Sequence, residues 1–310
     1  MNGLSMGRLK YLFEAARLGS MRAAADFLDV APSVVSRQIA ELEKVTCTPV
    51  METNRRGAKP TEAGRLLIEH YRNHLAQEES LASRLNALAG LSIGTVSIGA
   101  VQGFADDLMR HVLQPFHAQH PGIAIHLQLG SINDILGWLE QDEVHLGLIY
   151  GPGFHSHQGR LKEVRSHPQP LCVVVCAQHP MAEATLLQVG TLFEHPFALA
   201  HAGFGTRKIV EQIEAAAHRR LKLAMESDHL ICLTGFARCG MGATLLPAFA
   251  VYDDLQRGTL KAIPVAHPLL TEVQAQLVAR RGRALPAAAQ RLQRHIVQHM
   301  EAFNALSASG

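Results

Sequence analysis

Residues 31–40 read APSVVSRQIA, a segment that joins a proline to small apolar residues, two hydroxyls and an arginine. Proline is favoured at the first position of a helix, because its missing N–H would be unpaired there. In a helix that begins at Pro32, three apolar residues share one face and are predicted to pack inward: Val35, Ile39 and Leu42. Small and polar residues lie nearly opposite: Ser33, Arg37 and Ala40, with Ser36 at their flank.

The segment before this helix is predicted to form two further helices. Apolar residues recur at near-helical spacing from Leu9 to Leu18, and Gly19-Ser20 ends that helix. Ser20 is predicted to cap a second helix that ends near Leu28, and residues 29–31 form a short turn. Two short helices joined by a tight turn indicate a helix-turn-helix whose second helix reads the DNA major groove. The same pattern is also typical of a solvated face on a small helical bundle.

A basic segment follows the third helix and favours the DNA-binding interpretation. Arg55, Arg56 and Lys59 cluster around Gly57 in a turn-rich stretch. Residues 1–61 contain nine Lys and Arg against six Asp and Glu, so the local surplus of positive charge exceeds the +2 of the whole chain. A basic loop beside a recognition helix is typical of a wing that contacts phosphates.

The stretch from Leu9 to Glu43, LKYLFEAARLGSMRAAADFLDVAPSVVSRQIAELE, resembles the LysR-type transcriptional regulators, and TEAG at 61–64 continues the resemblance. The chain departs from the usual family pattern at several positions: Met21, Thr46-Cys47, Val50-Met51, Thr53 and the proline, which comes one residue early. The family usually has an arginine where Thr53 stands, so Arg55 or Arg56 is expected to contact phosphate. The expected DNA-binding residues are Pro32, Ser33, Ser36, Arg37, Arg55 and Arg56.

A long helix is predicted from Thr61, which can cap it, to about Gly90. Seven of its residues are spaced by about 3.5 and form a coiled-coil seam: Leu67, Tyr71, His74, Glu78, Leu81, Leu85 and Leu88. The resemblance implies that this helix links two protomers. The expected oligomer is a homodimer or a homotetramer. An amphipathic helix packed on its own chain is the alternative.

From Gly94 onward, short β-rich runs alternate with helical stretches, which indicates βαβ units. The order predicts two α/β subdomains, with crossovers at 161–170 and 262–268. The resemblance implies an N-terminal all-α winged helix-turn-helix with a linker helix, followed by a C-terminal α/β domain of periplasmic-binding-protein-like fold with two subdomains. Residues 240–247, GMGATLLP, also resemble the family's sequence pattern.

The predicted boundaries are 1–61 for DNA binding, 62–91 for the linker, 92–303 for effector binding and 304–310 for a tail. Subdomain I comprises 92–163 and 268–303, and subdomain II comprises 164–267.

A small molecule is expected beyond the carboxyl ends of the strands, where helices begin. Four junctions supply the candidate effector-binding residues: Ala100, Val101 and Gln102; Ser131; Phe204 and Thr206; and Ser227. Free N–H groups and hydroxyls at helix starts suit an anion, so the predicted effector is an organic acid. Ordinary helix capping explains each junction taken singly.

Several other classes of protein are disfavoured by the sequence. The 310 residues are 47% hydrophobic and 18% charged, as expected for two or three compact units with real cores. We find no membrane-length apolar run, no signal-peptide pattern, no metal-type Cys/His set and no catalytic or dinucleotide motif. The prediction is a cytoplasmic protein, not an enzyme, without cofactor or metal, with RNA polymerase as a further candidate partner. Two alternatives stay open: a redox-responsive regulator using Cys232 and Cys239, and a solute-binding α/β protein with a helical interaction module.

Overall fold

The structure, a computed structural model, describes residues 4–54, 57–89, 93–153, 159–202 and 205–304. The chain divides into two compact units, residues 1–82 with 282–284, and residues 83–281 with 285–310. This division falls inside the long helix, and the boundaries expected at residues 61 and 91 stay a prediction. No helix in the described ranges is long and apolar enough to cross a membrane.

The first unit begins with three helices, α1 (Met6–Arg17), α2 (Met21–Phe27) and α3 (Pro32–Thr46). The Ser20 hydroxyl accepts the N–H of Ala23 at 3.4 Å, and Pro32 takes the first position of α3. The inward residues of α3 and α1 form one core: Leu9, Leu12, Val35, Ile39 and Leu42. The predicted helix-turn-helix is thereby confirmed.

A two-stranded antiparallel hairpin, β1 (Met51–Asn54) and β2 (Gly57–Pro60), follows α3 and leads into α4 (Glu62–Leu88). Thr61 caps α4, since its hydroxyl accepts the N–H of Gly64 at 3.1 Å. A Cβ at Gly64 would collide with the carbonyl oxygen of Val50, so this turn of α4 requires glycine.

The two halves of α4 differ in burial. In the first half Tyr71 is buried and its ring lies 5.4 Å from that of Phe13, so this half packs on its own chain. In the second half Leu81, Leu85 and Leu88 are 57%, 56% and 86% exposed. The seam predicted over the whole helix therefore divides into a packed part and a part whose leucines face solvent.

The second unit contains strands and helices in alternation, in this order: β3 (Gly94–Ala100), α5 (Ala105–Asp107), a π-helical turn (Leu108–Leu113), α6 (Gln114–Gln119), β4 (Ile123–Leu129), α7 (Ile132–Glu140), β5 (Leu146–Pro152), β6 (Leu161–Pro168), β7 (Leu171–Cys176), β8 (Leu187–Gln188), α8 (Val189–Leu192), β9 (Pro196–Leu199), α9 (Gly205–Ala217), β10 (Lys222–Glu226), α10 (Leu230–Arg238), β11 (Ala243–Pro247), α11 (Tyr252–Gln256), β12 (Leu260–Ile263), β13 (Val265–Ala266), α12 (Pro268–Thr271), β14 (Val273–Arg280) and α13 (Ala287–His299). The helix predicted over 104–120 is interrupted by the π-helical turn, which Pro115 favours because it has no N–H for a regular helical bond.

Two five-stranded sheets organise this unit into two lobes. The first lobe, residues 93–168 and 273–304, has the strand order β4-β3-β5-β14-β6, and the second lobe, residues 169–272, has the order β10-β9-β11-β7-β12. The two predicted α/β subdomains are therefore confirmed. All of β6 pairs with β14 in the first sheet, so the boundary expected between 163 and 164 falls inside a strand, and the chain crosses between lobes after Pro168.

The turn between α10 and β11 requires a glycine at position 242. Its φ of +154° is rarely adopted by other residues, and a Cβ there would collide with the carbonyl oxygen of Pro196. The motif at 240–247 thus reflects a close approach between neighbouring strands β9 and β11.

Candidate DNA-binding surface and effector cavity

The outer face of α3 is polar and exposed. Ser33, Ser36 and Arg37 are exposed, as is Pro32 at the helix start, while Val35 is fully buried on the opposite side. Arg37 forms no ion pair with any described residue, so its guanidinium is available to bases or phosphates. The orientation agrees with the sequence-based expectation, and the contact with DNA stays a prediction.

Two other cations of this unit, Arg17 and Lys44, are already paired with carboxylates. Arg17 bonds to Glu14 at 2.7 Å and Lys44 to Glu41 at 2.7 Å. The Lys44 hydrogen bond and charge hold the pKa of Glu41 below its ordinary value, with smaller contributions from Arg8 and Arg37. Glu41 therefore stays ionised near neutral pH. Its negative charge offsets the positive charge of Lys44, which makes Lys44 a weaker candidate for a phosphate contact.

The hairpin of β1 and β2 provides the predicted wing. The N–H of Ala58 donates to the carbonyl of Gly19 at 3.0 Å, which ties the hairpin to the turn between α1 and α2. Lys59 is exposed on β2. Arg55 and Arg56, the residues expected to contact phosphate, lie outside the described residues.

A cavity of about 730 Å³ lies between the two lobes of the second unit. Four of the expected effector-binding residues line it: Val101 and Gln102 after β3, Ser131 before α7, and Thr206 in α9. Ala100 is instead buried within β3, and Ser227 does not line the cavity, although its neighbour Asp228 does. Phe204 lies outside the described residues.

Packed aromatic rings support the cavity at its inner end. Phe104 of the first lobe stacks on Phe249 of the second at 4.8 Å, and Tyr150 meets Phe249 edge-on at 5.6 Å. The Tyr150 hydroxyl donates to the carbonyl of Gln169 at 2.8 Å, and burial raises the pKa of this phenol well above its ordinary value. Tyr150 is thus a neutral structural support where the chain crosses between lobes.

The start of α7 already holds a carboxylate. Ser131 and Asp134 form a capping box, in which the Ser131 N–H donates to Asp134 at 2.9 Å and the Ser131 hydroxyl accepts the Asp134 N–H at 3.2 Å. The hydroxyl of Ser131 also donates to Asp134 at 2.6 Å, and these hydrogen bonds lower the pKa of Asp134. An anionic ligand at this helix start would be repelled by the ionised side chain.

The start of α10 is also occupied. The Ser227 hydroxyl accepts the N–H of His229 at 3.1 Å, so it is already engaged within the protein. The N–H of Leu230 donates to Gln102 Oε1 at 2.8 Å, from one lobe to the other. Two of the helix starts proposed as anion sites are therefore engaged within the protein.

The start of α9 differs from these two. No acidic residue stands in its first turn, and Thr206 and Lys208 both line the cavity. A Cβ built on Gly205 would lie 3.2 Å from Ile132 Cδ1 and 3.6 Å from the Tyr150 carbonyl oxygen, which places this helix start directly against the first lobe. First-turn N–H groups lack partners within their own helix and attract anions.

Lys208 and Gln276 are cavity residues that the sequence reasoning missed. Lys208 follows Thr206 by two positions, and the absence of an acid in this turn is a signal that the sequence contains. Gln276 is 1% exposed on β14, and its Nε2 donates to the carbonyls of Gly151 at 3.3 Å and Pro152 at 3.4 Å. The sequence contains little signal for this contact with the end of β5, because the same strand contains a second glutamine, Gln274, and ends on Arg280.

Within the described ranges no group of three His, Cys, Asp or Glu could hold a metal ion. The five cysteines are free, with Cys172 and Cys176 buried and Cys232 and Cys239 exposed. Burial raises the pKa of the Cys172 thiol to about 11. Seven residues of helical rise separate Cys232 from Cys239 by about 10 Å, beyond the reach of a disulfide.

A winged helix-turn-helix unit joined to a two-lobed α/β unit with a central cavity defines a transcriptional regulator with an effector-binding domain. Residues 6–65 match the family model described as the bacterial regulatory helix-turn-helix protein of the lysR family, and residues 89–301 match the LysR substrate binding domain. The chain belongs to the LysR family of DNA-binding transcriptional regulators and is not an enzyme.

Relatives and solved structures agree with this assignment. A probable RuBisCO transcriptional regulator from Synechocystis sp. is 25% identical over 277 residues, covering 88% of this chain and 80% of the relative. A full-length OxyR variant from Pseudomonas aeruginosa has a TM-score of 0.68 and 18% identity, with 96% of each chain covered. CbnR, a LysR family transcriptional regulator, has a TM-score of 0.53 and 17% identity over 97% of this chain and all of that one. At these sequence identities, the two solved structures show only that the chain shares their fold.

Proposed function

We propose that the chain is a cytoplasmic, homo-oligomeric regulator whose binding to DNA responds to an organic acid held between the two lobes. The observation that carries the proposal is the start of α9, which opens into the cavity without an acidic residue in its first turn. The acid group of the effector would lie against the α9 amides, with Thr206 and Lys208 beside it. This choice follows because carboxylate or amide oxygens already occupy the starts of α7 and α10.

On the DNA side, Ser33, Ser36 and Arg37 would reach base edges in a major groove, with Pro32 at the helix start. Arg55 and Arg56 would contact phosphates from the wing, together with Lys59. Small and polar side chains on α3 support this role, since they let a helix approach the groove closely. RNA polymerase would be a further partner when the protein is bound beside a promoter.

The effector would act by changing the relative stability of two arrangements of the oligomer on DNA. A ligand can do so only when it binds one arrangement more tightly than the other. A cavity between two lobes suits that requirement, because its shape depends on how the lobes meet. Residues of both lobes line it, among them Val101 and Thr206.

Calorimetric titration of the full chain with pentanoate, a simple monocarboxylate, tests the acid site. Lys208→Ala is expected to weaken binding about fivefold, because an exposed charge contact contributes about 1 kcal/mol. Lys261→Ala removes a second exposed lysine of the same lobe, from β12 outside the cavity, and is the matched control. Absence of binding, or equal losses in the two variants, would reject the proposed acid site.

A further inference from the structure

Gln102 is a cavity residue whose side-chain hydrogen bond joins the two lobes. It follows β3 in the first lobe, and its Oε1 accepts the N–H of Leu230, the first residue of α10 in the second lobe, at 2.8 Å. The residue that precedes α10, His229, makes no side-chain cap. Gln102 therefore supplies the cap that α10 lacks, and it does so across the cavity.

The orientation of the Gln102 amide follows from its partner. A backbone N–H can only donate, so the side-chain oxygen must face Leu230 and the NH₂ group must point elsewhere. No described residue accepts a hydrogen bond from Gln102 Nε2, and this nitrogen is not one of the buried polar atoms that lack a partner, so it is accessible to the cavity. Because Gln102 lines the cavity, its two N–H donors are presented to whatever the cavity holds.

The charges near this end of the cavity limit what Gln102 can bind. Asp228 lies two residues before Leu230, and Asp134 stands at the start of α7; both line the cavity. The pKa of Asp134 is lowered, so it stays ionised, and Asp228 is exposed at the surface. A second carboxylate on the ligand would meet like charges here, whereas a neutral oxygen would accept from Nε2 without that repulsion.

We propose that Gln102 selects effectors that carry a neutral oxygen acceptor, such as a keto group, and couples their binding to the contact between the lobes. Resting on the proposed acid site at α9, this makes the effector an oxo acid, in preference to a plain acid or a diacid. A ligand oxygen on Nε2 polarises the amide and strengthens the bond from Oε1 to Leu230. It also holds the side chain in the conformation that bridges the lobes.

Three five-carbon acids that differ only at carbon 4 or carbon 5 test the selection: pentanoate, 4-oxopentanoate and pentanedioate. In the wild-type chain, 4-oxopentanoate is expected to bind about tenfold more tightly than either of the others by calorimetry. Gln102→Glu keeps an oxygen for the Leu230 N–H and removes both donors. In this variant the preference for 4-oxopentanoate should disappear, while the melting temperature stays near that of the wild type.

Amide hydrogen exchange at Leu230 tests the coupling. Saturating 4-oxopentanoate is expected to slow exchange of this N–H severalfold in the wild type and to leave it unchanged in Gln102→Glu. Gln102→Met, which removes the acceptor as well, should speed exchange at Leu230 without ligand and lower the melting temperature. A merely structural role for Gln102 would change the exchange rate with no dependence on the probe.

The outcomes separate this inference from the proposed function. If the probes bind through Lys208 but show equal affinities, or if Gln102→Glu retains the preference, Gln102 is not the selecting residue and the acid site stands. If 4-oxopentanoate is preferred without slower exchange at Leu230, the coupling is wrong. If none of the three probes binds, the acid site fails and the inference on Gln102 fails with it.

Discussion

The side chains of α3 illustrate how single residues acquire a role from their neighbours. Val35 and Ile39 are held in the core of the first unit, so the rotation of the helix is determined by apolar burial. Arg37 is turned outward by that constraint and makes no ion pair with a described residue. A contact of this side chain with DNA would therefore break no ion pair with a described residue.

Arg37→Ala is expected to weaken binding to the specific DNA site by about 1–3 kcal/mol, because a bidentate base contact contributes that amount. The fold should survive, since Arg37 is exposed and supports no core residue. Electrophoretic mobility shift at fixed salt measures the loss against wild type.

Lys44→Ala is the matched control for Arg37→Ala. It removes one positive charge from the same helix, at a position where the charge is already paired with Glu41 at 2.7 Å. Its affinity should fall much less. Equal affinities of Arg37→Ala and wild type would remove Arg37 from recognition.

At the scale of elements, the first turn of α4 depends on one close approach between this helix and the backbone that precedes β1. Thr61 caps the helix, and Gly64 lets its first turn lie against the carbonyl of Val50, just before β1. The hairpin and the helix are thereby held together at their shared base. Fixing a glycine inside a helix costs conformational entropy, so the close contact between α4 and Val50 must contribute enough stability to offset that cost.

Gly64→Ala is expected to destabilise the first unit by about 1–3 kcal/mol, because the new methyl group has no space beside backbone atoms. Thermal unfolding followed by circular dichroism measures the change. The better helix propensity of alanine, worth about 1 kcal/mol, acts in the opposite direction and is outweighed.

Gly7→Ala provides the comparison within the same unit. A Cβ at Gly7 would meet only the Ser5 hydroxyl at 3.5 Å, an ordinary contact. Here the gain in helix propensity should dominate, and stability should stay level or rise. The close-approach argument would be wrong if Gly64→Ala melted at the same temperature as Gly7→Ala.

At the scale of the whole molecule, the second half of α4 has three strongly exposed leucines, at positions 81, 85 and 88. Exposed apolar side chains in a row on one helix face indicate an interaction surface. Their spacing is that of a coiled-coil seam, which suits pairing with a second copy of the chain. Pairing would also provide the two DNA-binding units that a two-fold site needs.

Leu85→Asp is expected to raise the dimer dissociation constant about tenfold or more, because it replaces an apolar contact by a charge. Sedimentation equilibrium measures this directly. Asn86→Asp adds the same charge on another face of the helix and should leave association nearly unchanged. Association unaffected by Leu85→Asp would place the dimer contact elsewhere.

Much of the fold was determined by the sequence alone. The apolar spacing of α1 and α3, the caps Ser20 and Thr61, and the alternation of strands and helices after Gly94 all act through neighbours in the chain. Such local signals predict elements reliably because backbone hydrogen bonds and side-chain periodicity depend on nearby residues. They also identified the region of the cavity, since parallel strands end together at one edge of a sheet.

Only the tertiary structure decided which helix start is left for a ligand. Ser131 and Thr206 look alike as caps in the sequence, yet the first turn of α7 already holds the carboxylate of Asp134, whereas the first turn of α9 contains no acidic residue. Gln102 and Leu230 are 128 positions apart in the chain, so no local sequence pattern predicts their hydrogen bond. The physical reason is that a polar group is available to a ligand only when the folded chain has not already bonded it, and distant residues determine that.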